Sequence, residues 1–189
     1  MTERMAAEIW IGGQLSTKQA EELCGAINDE WVSLQWGGGQ FCPASPRDLL
    51  QASVEHDGVQ LLWLCNDQAS WGEFADLEDH LQEQVIPYTR RSEAGGGYNG
   101  EIAEYRPPDD PVHMPVDSDG NPTVHVDAMR DVAKFLGDAM ELLESREVRK
   151  AGVRLKKARA VLHEHLPPEV PPLPSFEIDC YQPREQNHG

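Results

Sequence analysis

Three short stretches carry residue types whose spacing could support chemistry. Cys65, Asn66 and Asp67 close the apolar run Val59 to Cys65 (VQLLWLC), where a strand is predicted to give way to a helix. Strand ends of this kind often bind ligands, and a helix N-terminus there stabilises a thiolate. A catalytic cysteine also needs a base or a phosphate-binding arginine. No Arg closes a phosphate loop after Cys65, and no His is placed beside it by any spacing rule. Cys65 is therefore read as a small buried hydrophobe and Asn66 and Asp67 as helix-capping residues. A small hydrolase or transferase using Cys65 or Asp67 at the strand end stands as an alternative function.

The second stretch, Asp117-Ser118-Asp119-Gly120-Asn121, begins like a calcium loop, with side-chain oxygens at its first, third and fifth positions. Its sixth position is Pro122 rather than Gly and its twelfth is Ala128 rather than Glu, so an ordinary Asp/Gly/Asn turn is expected. The turn suggests a hairpin of Val112 to Val116 with Thr123 to Val126, in which His113 faces His125. Two histidines do not make a metal site, and no third ligand is identifiable. No metal, cofactor or catalytic residue is assigned.

The third stretch is basic. Arg146, Arg149, Lys150, Arg154, Lys156, Lys157 and Arg159 accumulate along a predicted helix, while Val148, Ala151, Leu155, Ala158, Leu162 and Leu166 form a narrow apolar stripe near heptad spacing. Such a segment can grip phosphates, bind an acidic partner or neutralise an acidic body, and its stripe permits homodimerisation. These seven residues are the predicted partner-binding site.

The charge distribution sharpens that reading. Residues 1–145 hold 8 Lys and Arg against 27 Asp and Glu (−19), residues 146–165 hold 7 against 2 (+5), and residues 166–189 hold 1 against 4 (−3), summing to −17. So acidic a body repels nucleic acid, which is possible as a partner but not favoured, and the same acidity admits a nucleic-acid mimic that occupies a basic groove. No apolar run approaches the roughly 18 residues of a membrane span, and the first residues carry Glu3 and Glu8 rather than a signal pattern. Cys24, Cys42, Cys65 and Cys180 form no CxxC pair. The expectation is a cytoplasmic protein with reduced, mostly buried cysteines.

These residues must be positioned by a run of short elements. Glu8 to Ile11 reads as a strand, Ser16 and Gln19 as a capping box opening a helix to Asp29, and Trp31 to Trp36 as a second strand. Ser45-Pro46 starts a short helix, Val59 to Cys65 is a central strand buried on both faces, and Ser70 with Glu73 caps a helix whose stripe is Phe74, Leu77, Leu81 and Val85. Ile86 to Ser92 is a strand that Pro87 places at an edge or at its own start, and Glu101 to Arg106 returns beside it. Asp127 opens a helix with a buried stripe of Val132, Phe135, Leu136, Ala139 and Leu143, and a break is expected near Ser145 or Gly152.

The order predicts an α+β fold: a two-layer ferredoxin-like (split βαβ) plait with an extra β-hairpin and a long C-terminal helix or helix pair, against the competing three-layer sheet with helices on both faces. Three segments are expected: an acidic α+β domain (1–145), a basic helical extension (146–166) and a proline-rich extended tail (167–189), in which Phe176 to Tyr181 can add a strand or dock. The leading functional expectation is a non-enzymatic binding or regulatory protein that acts through a protein partner or self-association.

Overall fold

The computed structural model describes residues 3–95, 97–166 and 168–179. The chain divides into two compact units. Residues 1–121 with 170–189 form the body, and residues 122–169 form the second unit. The change of charge at residue 146 thus falls inside the second unit.

The body is built on β1 (Arg4–Ile11), where Met5, Ala7, Ile9 and Ile11 alternate into the core while Glu8 and Trp10 face the other way. A short strand β2 (Gln14–Leu15) precedes helix α1 (Thr17–Asp29), whose Ser16–Gln19 capping box forms as expected. Helix α2 (Pro46–Ala52) follows, then β3 (Val54–His56) and β4 (Val59–Ser70) around a turn at Asp57-Gly58. Helix α3 (Ala75–Glu83) leads to β5 (Tyr88–Ser92), β6 (Gly100–Tyr105) and β7 (Val112–Val116). The strands form one six-stranded sheet in the order β3-β4-β1-β5-β6-β7, antiparallel at every pairing. The connection from β1 to β3 steps over β4, and the connection from β4 to β5 steps over β1. The fold is thus mixed α+β.

Helices α1, α2 and α3 cover one face of the sheet. Ala20, Leu23 and Ile27 of α1, Leu49 of α2 and Leu77 and Leu81 of α3 share a single core with Ile9, Ile11, Leu62, Leu64 and Tyr88. On the far face a smaller cluster joins Ile102, Met114 and Val116. The segment after residue 170 returns to this core: Phe176 is buried, its N–H donates to the Gln60 carbonyl (2.7 Å), and β8 (Glu177–Ile178) pairs in parallel with β2. The stretch expected to be an extended tail is thus, as far as residue 179, a strap that completes the body; Cys180 and Tyr181 lie outside the described residues.

Several expected elements are corrected. Trp31 to Trp36 is not a strand; it makes one bridge, Ser33 to Cys65, and Trp31 and Trp36 are exposed. β3 supplies the strand in its place, at the outer edge. The polar residues 66–70 belong to β4, because their backbones pair with Arg4 to Ala7 even though most of their side chains face solvent. Ser70 and Glu73 do not cap α3. Its N-cap is Phe74, whose N–H donates to Glu78 Oε1 (3.0 Å), and Val85 lies beyond the helix, exposed, at φ +60°. Of the two places expected for Pro87, the structure shows the strand start: it directly precedes β5, which is an interior strand.

The second unit is a helical hairpin of α4 (Val126–Glu144) and α5 (Val148–His165), broken at residues 145–147. Arg146 occupies the left-handed region (φ +62°) in that turn. Among the described residues, no helix is long and apolar enough to cross a membrane.

Candidate functional site

All seven predicted partner-binding residues lie in the hairpin, Arg146 in its turn and the others on α5. The two helices run antiparallel against a seam of Ala128, Val132 and Ala139 from α4 and Ala151 and Ala158 from α5. Small side chains let the backbones approach closely but bury little apolar area. On one flank of the seam, Arg154 Nε lies 3.3 Å from Asp138 Oδ2 and the Lys157 ammonium sits 5.9 Å from the Phe135 ring centroid. Lys150 pairs with Glu147. Arg149, Lys156 and Arg159 are exposed and have no ion pair among the described residues.

The opposite flank joins parts of the two expected apolar stripes and adds Met140, which the sequence reading missed. At 3.6 residues per turn, Leu136, Met140 and Leu143 project from one side of α4, and Val148, Leu155 and Leu162 project from the same side of α5, turned away from Asp138 and Arg154. Met140 is 65% and Val148 66% exposed, Leu136, Leu143 and Leu155 are exposed too, and Leu162 is half-buried. The signal was present in the sequence, since Leu136 and Leu143 belong to the expected stripe of α4. That stripe was assigned to the interior, whereas only Val132 and Ala139 of its five residues are buried.

The other sequence candidates do not assemble into sites. Cys65 lies in the middle of β4, fully buried, paired with Glu8 of β1, and burial pushes its thiol pKa up. Asp67 Oδ2 accepts from the Gly37 N–H (2.8 Å), which fixes the glycine turn that follows Trp36. In the 117–121 loop, Asp117 Oδ1 accepts from the N–H groups of Asp119 and Asn121 (both 2.9 Å); those bonds, the one from Asn121 foremost, hold its pKa below the usual range. This is the expected Asx turn. The expected hairpin with Thr123 to Val126 does not form. β7 pairs with β6, so Ala103 stands opposite His113, while His125 is the N-cap of α4. His113 Nδ1 instead lies 3.1 Å from Glu101 Oε1.

The face of the sheet away from the helices holds two hollows separated by Arg91. One, of about 590 Å³, is bounded by Glu8, Trp36, Ile102 and the 117–120 turn, and the other, of about 240 Å³, by Trp10, His56, Thr89, Arg106 and Leu173. Most polar groups here are engaged. Trp63 Nε1 donates to Glu8 Oε2 (2.9 Å), and Arg106 donates to the carbonyls of Tyr88, Tyr105 and Pro171 and to Thr89 Oγ1. His56 stacks on Trp10 with centroids 4.3 Å apart. No group of three or more His, Cys, Asp or Glu placed to hold a metal occurs among the described residues.

No family model matches this chain, and no curated protein or solved structure is significantly similar to it.

Proposed function

We propose that this chain is a non-enzymatic binding or regulatory protein in which a ferredoxin-like plait, extended by the β6–β7 pair, carries an inserted helical hairpin as its interaction element. The plait reading is supported by the strand order β3-β4-β1-β5 and by two helical connections that each step over one strand. Such a fold is compatible with many activities, so the functional reading rests on the hairpin. The observation that carries it is the apolar flank of Leu136, Met140 and Leu143 beside Val148 and Leu155, left in solvent next to the cations Arg149, Lys156 and Arg159, which have no ion pair among the described residues. Exposed apolar surface rimmed by charge marks a protein interaction site. The test compares the full chain with its Arg149→Glu, Lys156→Glu, Arg159→Glu variant as affinity baits, each in an extract containing an untagged copy of the chain. The variant is expected to lose most of the retained chains. Retention of the same chains in the same amounts by both baits would overturn the reading.

A further inference from the structure

The hairpin exposes more large apolar surface than its size accounts for. Of the sixteen large hydrophobic side chains exposed in the described chain, eight belong to it: Val126, Leu136, Met140, Leu143, Val148, Val153, Leu155 and Leu166. The hairpin spans only 48 residues, 122–169. Its seam is mostly alanine, and two helices with so small a buried seam lack the core that an independent unit needs.

We propose that this apolar flank is covered by the same flank of a second copy of the chain, giving a twofold-symmetric four-helix bundle in which α4 of one copy lies antiparallel against α5 of the other. The inference rests on the reading of the hairpin as the interaction element and names its partner. Charge selects that partner. Helix α4 holds 2 Lys and Arg against 5 Asp and Glu (−3), and α5 holds 6 against 1 (+5). A twofold axis parallel to the helices sets each acidic helix beside a basic one; by helical phase Glu144 of α4 and Lys156 and Arg159 of α5 border the apolar flank while Asp131 and Asp138 face away from it, so the complementarity lies at that rim. The whole hairpin, with 9 cations against 8 anions, is close to neutral at +1, while the body, with 7 against 25, stands at −18. Nucleic acid would meet the basic helix only with an acidic helix paired to it, whereas a second hairpin meets both signs. Area agrees. Together the two helices, about 27 Å long and roughly 10 Å wide, present on the order of 500 Å² per copy, so two copies bury about 1,000 Å² in total, the lower end for a specific interface.

The test is sedimentation of the full chain from about 1 µM to about 100 µM, a range over which a weak dimer at mass action assembles. The expected result is a reversible species of twice the 21.1 kDa chain mass, with a thermal midpoint that rises with concentration. Leu136→Lys with Met140→Lys, exposed positions outside the seam, is expected to weaken association at least about tenfold with helical circular dichroism retained. The charge-matched control Asp131→Lys, on the other flank, is expected to leave association within about threefold of wild type. A wild-type chain monomeric throughout, a dimer insensitive to the paired substitution, equal disruption by Asp131→Lys, or an oligomer larger than two would each overturn the proposal. A monomeric chain whose hairpin still retains another protein would refute the second copy while leaving the broader binding reading intact.

Discussion

Arg90 is only 1% exposed, and its guanidinium joins the sheet to α3. Its Nε lies 2.8 Å from Glu78 Oε1, one terminal nitrogen donates to the Gly72 carbonyl (2.9 Å), and the other pairs with Glu101. Tyr88 donates its hydroxyl to Glu78 Oε2 (3.2 Å) and accepts from Gln82. Burial alone would lower the arginine pKa, but the Glu78 and Glu101 carboxylates outweigh it and hold the group charged. Removing one partner strands the other. Arg90→Met or Glu78→Gln alone is therefore expected to cost about 3–5 kcal/mol in urea unfolding, and Arg90→Met with Glu78→Leu to cost clearly less than the sum of the single changes. Burial raises the Glu101 pKa, yet hydrogen bonds from His113 and Arg90 outweigh it and hold the carboxyl below its ordinary value. A carboxyl depressed by folding adds stability that is present above the ordinary carboxylate range and lost as pH falls through the folded pKa. The stability gap between wild type and Glu101→Gln should accordingly close as unfolding is measured from pH 7 down through that range. The thiols test the enzymatic alternative. Burial, with Asp48 adding to it, pushes Cys24 up to about 11, and burial also raises Cys65, whereas Cys42 is exposed. Iodoacetamide at neutral pH is expected to label Cys42 and to spare Cys24 and Cys65 until the protein is denatured, as read by peptide mapping. Rapid native labelling of Cys65 would revive a nucleophilic role.

At the scale of elements, local signals were legible where local chemistry decides. Ser16 with Gln19 marks a helix start because the Ser16 hydroxyl accepts the Gln19 N–H, and Ser45 with Pro46 marks another, where Asp48 Oδ2 accepts the Ala44 and Ser45 N–H groups; both helices begin there. What sequence hides is set by distant partners. The alternation of Trp31 to Trp36 looks like a strand, but only Ser33 bridges to a strand, whereas Asn66 to Ser70 is a strand because β1 lies beside it. The candidate site was half legible for the same reason. A run of cations is visible in one dimension, but the apolar flank emerges only once the phase of α5 is set against that of α4. The strap after residue 170 was legible in part: Phe176 to Tyr181 reads as a segment that can add a strand or dock, but the proline-rich composition before it does not show that Phe176 enters the core. Gly12 shows how closely the strap packs: a Cβ there would come within 2.2 Å of the Pro174 carbonyl oxygen. Gly12→Ala is expected to displace the strap, costing about 1–3 kcal/mol, and Phe176→Ala about 3–5 kcal/mol. Hydrogen exchange should then accelerate at the Phe176 and Glu177 amides, which donate to Gln60 and Gly13; unchanged exchange in both variants would show that the strap does not hold the body.

For the whole molecule, the body and the hairpin differ in how they use charge, and salt separates them. The body carries 25 Asp and Glu against 7 Lys and Arg, mostly near water, so its folded state works against its own repulsion. Its main compensating pair, Arg90 with Glu78, is buried, where added ions screen little. Lys18 with Glu22, an ion pair of the body that salt does weaken, is exposed and of the kind that contributes little. Raising sodium chloride from about 20 mM to about 300 mM shortens the screening length from roughly 20 Å to roughly 6 Å, relieving the long-range repulsion first. The thermal midpoint of the Leu136→Lys, Met140→Lys variant, from which the contribution of association is removed, should rise over that range. The wild type should show a smaller rise, because salt also weakens the contact between the acidic α4 of one copy and the basic α5 of the other. A midpoint that falls with salt in the paired variant would mean that short-range ion pairs, rather than net repulsion, govern the body. An identical salt response in both proteins would remove the electrostatic part of the argument for the second copy, leaving its apolar flank alone to select the partner.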